Sequence, residues 1–202
     1  MHGFGGSRVV APVDEEAGGT WIGLNQYGLA STLSNLPADI EGERSRGLLC
    51  RDVLGFSSVP EARTHVESEL MERDYAGFNL VVAGPDGGFV AVNDGDVDIH
   101  KLKPGIHVAT NSRFDRPDEK ARRVRDAAEE FPQDDPYFWL EEVRSLLASH
   151  DPQVCVHGDE KGTTSSSLMT ASPSFGNSSY LFSKGKPCKS GKQVYTEIGF
   201  SQ

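Results

Sequence analysis

Two short apolar runs joined by a turn sequence constrain the fold of this chain most. Residues 78–83 and 89–93 each have the length and composition of a β-strand, and the sequence PDGG lies between them at 85–88. In such a turn the proline fixes one φ angle, the aspartate caps the backbone, and the glycines adopt φ values that other residues avoid. The segment therefore predicts a β-hairpin, and with it an antiparallel sheet.

Similar patterns along the chain predict alternating groups of strands and helices. Further strands are expected at 20–25, 29–35, 97–102, 106–111, 154–157, 163–171, 179–183 and 193–199. Helices are expected from Ser45 to Gly55, from Pro60 to Arg73, from Pro117 to Phe131, and from Asp135 to Ser149. Hairpins interrupted by helix pairs favour an α+β fold in which helices cover antiparallel sheets. No repeat or linker divides the chain, so residues 1–202 are expected to form a single domain.

Charge and hydropathy narrow the classes of partner. Thirty acidic residues against 20 basic ones leave a formal net charge of −10, which would repel nucleic acid and anionic membrane surfaces. No apolar run approaches the roughly 20 residues that cross a bilayer. The first residues, MHGFGGSRVV, lack the basic start and apolar segment of a signal peptide. We therefore expect a cytoplasmic protein with no nucleic-acid partner and no transmembrane segment.

The cysteines indicate reduced thiols. Cys50, Cys155 and Cys188 fit neither a fully paired disulfide framework nor a zinc site with CxxC spacing. Cys155 and His157 would share one face of a strand, but two ligands are too few for a metal site. The sequence alone therefore predicts no metal site and no cofactor.

Short polar motifs recur where predicted strands and helices begin or end. They are GGTW at 18–21, LSNLP at 33–37, RSRG at 44–47, YAGFNL at 75–80, GIHVATN at 105–111, GTTSSS at 162–167 and YTE at 195–197. An asparagine at a strand end is usually a turn former or a cap when it is taken singly. The order of the motifs along the chain therefore carries more information than any member of the set.

That order resembles the NRDE family, which is named for an Asn-Arg-Asp-Glu motif and includes the transport-and-Golgi-organisation proteins. The matching motifs cover essentially the whole chain. The resemblance implies an αββα sandwich, with two antiparallel sheets between helix layers, similar to N-terminal-nucleophile hydrolases of the choloylglycine hydrolase and penicillin V acylase type. In those acylases an N-terminal cysteine attacks the substrate, and its own α-amino group acts as the base. Asparagines at two strand ends stabilise the oxyanion, and Asn35 and Asn111 occupy the matching places here.

Two departures from the family pattern bear on catalysis. Related chains carry a first hairpin, a Met-Cys start and the NRDE motif before the GGTW segment, whereas this chain begins MHGFGG and reaches that segment at Gly18. Thr164 also stands where the family usually has arginine. We therefore expect a missing first hairpin and no family nucleophile, and neither Cys50, Cys155 nor Cys188 has the setting of a substitute.

Three hypotheses about function follow. The first is a non-catalytic member of the family that binds a small molecule, such as haem-type or lipid-derived cargo. The second is a cysteine amidohydrolase acting on non-peptide C–N bonds, if an N-terminus with Met-Cys lies upstream. The third is a truncated product or a scaffold. Candidate ligand-binding residues are Thr20, Trp21, Asn79, Thr163 and Thr164, although a core position is the stronger expectation for Trp21.

Overall fold

The computed structural model describes residues 2–4, 7–132, 135–158, 162–172, 177–189 and 196–197. These residues form two antiparallel sheets and four helices. The seven-stranded sheet contains β1 (His2–Phe4), β2 (Ser7–Val10), β3 (Ile22–Asn25), β4 (Ala30–Asn35), β5 (Phe78–Gly84), β6 (Gly87–Asn93) and β7 (Val97–Lys101). The three-stranded sheet contains β8 (Ser165–Thr170), β9 (Ser179–Lys184) and β10 (Thr196–Glu197). The helices are α1 (Arg46–Val53), α2 (Val59–Glu72), α3 (Glu119–Glu129) and α4 (Pro136–Leu147).

The seven strands neighbour one another in chain order, and every pair is antiparallel. The hairpin predicted from the sequence PDGG is confirmed, since Gly84 pairs with Gly87 at its tip. Its Asp86 carboxylate accepts a hydrogen bond from the backbone N–H of Val59 at 3.2 Å. The turn therefore also satisfies a donor at the start of α2, where the first N–H groups of a helix lack internal partners.

Helices begin where polar residues can cap them. The Ser45 hydroxyl accepts from the N–H of Gly47 at 3.2 Å, and Asp118 accepts from the N–H of Ala121 at 2.7 Å. Ser58 caps α2 in the same way through the N–H of Glu61. These caps confirm the predicted starts of the first two helices within two residues and place the third two residues after Pro117.

Both faces of the central strands β5 and β6 are buried, which explains their nearly continuous apolar sequences. One face packs against α1 and α2 and includes Phe78, Leu80 and Phe89. The opposite face, with Val90 and Val92, is covered by other residues that include Leu102 and Phe114. On the far side of the molecule α4 packs against β8. This arrangement of helix, sheet, sheet and helix confirms the predicted α+β sandwich.

The paired glycines of the GGTW segment lie against the start of α1. A Cβ atom on Gly19 would lie 2.4 Å from the backbone carbonyl carbon of Gly47. The N–H of Thr20 donates to the Gly47 carbonyl at 2.9 Å, and Gly18 has a φ of +68°. The sequence thus needs one glycine for a left-handed turn and the next for close backbone contact.

An ionic network fixes the segment that precedes α1. The Arg44 guanidinium bonds to the carboxylates of Asp52 and Glu69 and to the Tyr75 hydroxyl. The Tyr75 hydroxyl donates to Glu69 at 2.7 Å. Burial raises the pKa of Tyr75 to about 12, so this hydroxyl remains a donor at neutral pH. The network joins both ends of α1 to α2 and to the chain entering β5.

Three expectations about the backbone need correction. β1 and β2, at residues 2–4 and 7–10, form an unpredicted antiparallel pair that extends the sheet beyond β3. Residues 106–111 are not a strand, because side chains rather than a neighbouring strand bond their backbone; for example, Ser34 donates to the Thr110 carbonyl at 2.6 Å. Residues 154–157 are also not a strand, since the N–H groups of Val154 and Cys155 both donate to Ser149. Of the predicted strand 193–199, residues 196–197 are extended and the others lie outside the described residues.

A further correction concerns Trp21, which does not pack in the core. Its side chain is 43% exposed. It precedes β3, and the strand itself starts only at Ile22. The described part of the chain contains no helix with the length and apolar character needed to cross a bilayer.

We predict that Gly19→Ala lowers the free energy of unfolding by about 2 kcal/mol or more, because the new methyl group would overlap backbone rather than a movable side chain. Urea denaturation measures the change. Gly18→Asn is the matched control, since asparagine tolerates positive φ and nothing lies within 4 Å of a Cβ there. Equal stability of Gly19→Ala and the unmodified chain would contradict the close contact.

We also predict that the Cys50 thiol is inert in the folded chain. It is fully buried and 3.2 Å from the Ser31 hydroxyl, and burial raises its pKa to about 12. Iodoacetamide should therefore leave Cys50 unmodified under native conditions and alkylate it in urea, as read by peptide mass spectrometry. Comparable alkylation rates in both conditions would show that the thiol is accessible.

Candidate functional site

A cavity of about 330 Å³ lies at the junction of the GGTW segment, the end of β4 and the start of α1. Its lining residues are Asp14, Thr20, Trp21, Leu33, Asn35, Ser45, Arg46 and Gly47. Three of the predicted site residues, Thr20, Trp21 and Asn35, therefore meet at one place. The close contact between Gly19 and Gly47 brings the GGTW segment against the start of α1.

Arg46 supplies the positive charge of this cavity. One nitrogen of its guanidinium donates to the Gly77 carbonyl at 2.6 Å, which holds the side chain at the start of the central strand β5. Burial lowers the pKa of Arg46, yet an arginine remains a cation at neutral pH. No ion pair joins Arg46 to a carboxylate within the described ranges. The Asp14 carboxylate also lines the cavity, but it accepts from the backbone N–H groups of Glu16 and Ala17. A half-buried cation without an ion-pair partner favours an anionic ligand at this place.

Trp21 lies between this cavity and a second one of about 220 Å³. The second cavity is lined from both sheets and from α4, by Trp21, Ile22, Leu147, Val154, Thr163, Ser165, Ser166, Ser167 and Pro187. An exposed indole beside apolar side chains offers a flat surface on which a ligand ring or chain can pack. The two cavities flanking Trp21 are called the Trp21 groove below.

The two oxyanion candidates are adjacent. The side-chain amide of Asn111 donates to the backbone carbonyl of Asn35 at 2.8 Å. Asn35 closes β4 and its side chain is exposed at the rim of the first cavity. The structure therefore brings the pair together, with the Asn111 amide engaged by protein.

Asn79 is fully buried and fastens the 107–114 loop to β5. Its amide nitrogen donates to the carbonyls of Thr110 and Ser112 at 3.2 and 2.8 Å, and its oxygen accepts from the N–H of Phe114 at 3.1 Å. A third cavity of about 170 Å³ lies beside it. Because protein groups occupy both ends of the amide, the geometry gives Asn79 a positioning role for the loop that carries Asn111.

The remaining polar candidates also bond to the backbone. The Thr20 hydroxyl donates to the Ile22 carbonyl at 2.9 Å and its side chain is buried. The Thr163 hydroxyl accepts from the N–H of Val156 at 3.0 Å while lining the second cavity. Thr164 is exposed, and its carbonyl accepts from the N–H of Gly185 at 2.7 Å. Thr20 and Thr163 therefore shape the walls of the Trp21 groove.

Sequence reasoning missed Arg46 and the metal-ligating groups. The RSRG motif predicts a helix start, but it does not show which way the Arg46 side chain points. That direction follows from the packing of α1 against β4.

Two groups of potential metal ligands occur among the described residues: His150, His157 and Cys188, and Asp98, His100 and Asp115. Arg113 already pairs with Asp98 and Asp115 of the second group, at 2.5 and 2.8 Å.

Comparisons with solved structures show what fold surrounds the site. The chain is similar to penicillin V acylase from Agrobacterium tumefaciens, with a TM-score of 0.60 and 16% identity over 96% of this chain and 70% of that chain. It is also similar to a variant of conjugated bile acid hydrolase from Clostridium perfringens, with a TM-score of 0.56 and 11% identity over 96% and 77% of the respective chains. A second variant of that hydrolase gives 0.57 and 12% over 94% and 75%. These neighbours confirm the predicted N-terminal-nucleophile hydrolase fold.

Sequence comparison identifies the family. No curated protein matches the chain significantly. A family model described as Transport and Golgi organisation 2 matches residues 2–170, which is most of the chain and includes the GGTW, RSRG and YAGFNL motifs. The protein belongs to the Transport and Golgi organisation 2 (TANGO2) family.

Proposed function

We propose that this chain binds a small amphipathic anion in the Trp21 groove. Arg46 would pair with a carboxylate or another anionic group, and the apolar part of the ligand would pack on the Trp21 indole. The observation that carries the proposal is the half-buried Arg46 without a carboxylate partner within the described ranges, in the cavity that Trp21 lines. Haem-type and lipid-derived cargo both combine an anionic group with an apolar body.

Binding rather than acyl transfer is favoured by the state of the thiols. Cys50 is buried in the core with its pKa raised to about 12, and Cys155 is also fully buried. Burial and the adjacent Cys155 raise the pKa of Cys188. A nucleophilic cysteine needs a lowered pKa and a base. The described cysteines therefore make poor substitutes for an N-terminal nucleophile.

A second candidate function is that of a cysteine N-terminal-nucleophile amidohydrolase acting on non-peptide C–N bonds. The hydrogen bond from the Asn111 side chain to the Asn35 carbonyl favours it, because the two oxyanion candidates are adjacent and Asn35 lines the first cavity. The nucleophile and base would have to come from a longer N-terminus that carries Met-Cys. Reading the genomic frame before residue 1 tests whether such a segment is encoded.

We expect Arg46→Gln to weaken binding of haemin or palmitate by about tenfold or more, since a charge-assisted hydrogen bond contributes about 1.5–3 kcal/mol. Isothermal titration calorimetry with each probe measures the affinity. Arg63→Gln is the matched control, because Arg63 is exposed on α2 and pairs with Glu67. Absence of saturable binding by both probes, or equal affinity of Arg46→Gln and the unmodified chain, would contradict the proposal.

The amidohydrolase candidate gives a separate prediction. The chain of 202 residues should release no free amine from penicillin V, because it offers no activated nucleophile in its described part. If an upstream Met-Cys is encoded, the extended chain should hydrolyse a non-peptide amide, and replacement of that cysteine by alanine should abolish turnover. Turnover by the 202-residue chain itself would contradict the account of the thiols.

A further inference from the structure

Two cysteines and a histidine converge at one point away from Arg46. The Cys155 and Cys188 sulfurs lie 3.5 Å apart. The His157 Nε2 atom is 3.5 Å from the Cys155 sulfur and 2.9 Å from the Cys188 sulfur. These atoms come from the loop after α4 and from the turn after β9, so the convergence is a product of the fold.

Two of these three separations are close to those of ligands around a tetrahedral zinc ion. With bond lengths of about 2.3 Å to sulfur and about 2.0 Å to nitrogen, two sulfurs lie about 3.8 Å apart and a sulfur and a nitrogen about 3.5 Å apart. The Cys155–Cys188 and Cys155–His157 separations differ from these values by a few tenths of an ångström or less. The distance between the His157 Nε2 atom and the Cys188 sulfur, 2.9 Å, would have to increase when zinc binds.

His150 is placed to provide a fourth ligand. One of its ring nitrogens lies within 4.8 Å of a ring nitrogen of His157 and of the Cys188 sulfur. Metal binding would require this ring to move towards the Cys155 sulfur, which is not part of that group. Its Nδ1 atom donates to the Cys155 carbonyl at 3.1 Å, which leaves Nε2 for a metal. Metal-bound histidines commonly donate their other ring nitrogen to a carbonyl or carboxylate in this way, and that bond fixes the ring.

Backbone hydrogen bonds hold both ligand segments in place. The N–H of Cys155 donates to the Ser149 carbonyl at 2.9 Å, which bends the chain so that His150 and Cys155 approach each other. Thr163 exchanges two hydrogen bonds with Val156, between the two ligands Cys155 and His157. The N–H of Gly185 donates to the Thr164 carbonyl, which ties the turn before Cys188 to the same region.

We propose that His150, Cys155, His157 and Cys188 form a structural zinc site that joins the loop after α4 to the turn after β9. Two thiolates and two imidazoles in a tetrahedral arrangement suit zinc better than Mg²⁺ or Ca²⁺, which prefer oxygen ligands. Two thiolates also balance the charge of a divalent ion. The site does not include Arg46, and it lies next to the second cavity of the Trp21 groove, which Val154 and Pro187 line.

A disulfide between Cys155 and Cys188 is the competing use of the same sulfurs. Its sulfurs would be about 2.05 Å apart, and it would need no imidazole. In this structure the His157 nitrogen approaches both sulfurs, and His150 lies next to it with ring centroids 5.0 Å apart. The surrounding imidazoles therefore favour the metal.

The full chain, produced with zinc under reducing conditions, tests the site. We expect about one zinc per chain by elemental analysis. Replacement by Co²⁺ should give a thiolate-to-cobalt charge-transfer band and the visible bands of a tetrahedral ion. Cys188→Ser should abolish the charge-transfer band or shift it strongly, and His150→Ala should weaken zinc binding by about tenfold or more. Removing zinc with a chelator should lower the Tm and expose the 150–158 loop to protease.

Cys50→Ala and His107→Ala are the matched controls, because Cys50 lies in the core and the His107 ring bonds to the Lys103 carbonyl instead. Both variants should keep full zinc content. The proposal is overturned if the reduced chain binds neither zinc nor cobalt stoichiometrically, if metal content falls equally in the controls and in Cys188→Ser, or if mass spectrometry finds Cys155 and Cys188 disulfide-linked in the reduced preparation.

Discussion

The backbone contact between Gly19 and Gly47 determines where the rest of the site can lie. Two segments nearly 30 residues apart approach so closely that a single methyl group would overlap a carbonyl carbon. The Thr20 to Gly47 hydrogen bond then holds the start of α1 beside the sheet. As a result, Trp21 is left exposed on one side of the contact, and Arg46 stands beside it.

Buried polar side chains extend this organisation across the sheet. Asn79 lies inside a central strand, where an amide would be costly if its hydrogen bonds were not made. It uses them to hold a loop without regular secondary structure, and that loop places Asn111 against the end of β4. The Arg44 network does the same for the chain before α1, since it joins α1, α2 and Tyr75.

Much of the fold could be predicted because local signals and tertiary structure agree. The sequence PDGG, the serine caps and the apolar runs of β5 and β6 each specify their element within a few residues. The segment 106–111 could not be predicted in the same way, because the Ser34 hydroxyl of β4 and the Asn79 amide of β5 bond to its backbone in place of a neighbouring strand. The exposure of Trp21 could not be predicted, because aromatic character does not reveal which side of a loop faces solvent. The positions of Arg46 and of the cysteine–histidine cluster depend on contacts between residues far apart in the sequence. The spacing of residues along the chain cannot predict such contacts.

The half-buried cation and the exposed indole support the proposal that this protein binds an anionic, partly apolar molecule. A crystal structure of the complex with palmitate or haemin tests this most directly. The account predicts a ligand carboxylate within hydrogen-bonding distance of the Arg46 guanidinium and the apolar body of the ligand against Trp21. A ligand bound elsewhere on the protein, or one whose carboxylate faces solvent while Arg46 keeps no partner, would contradict it.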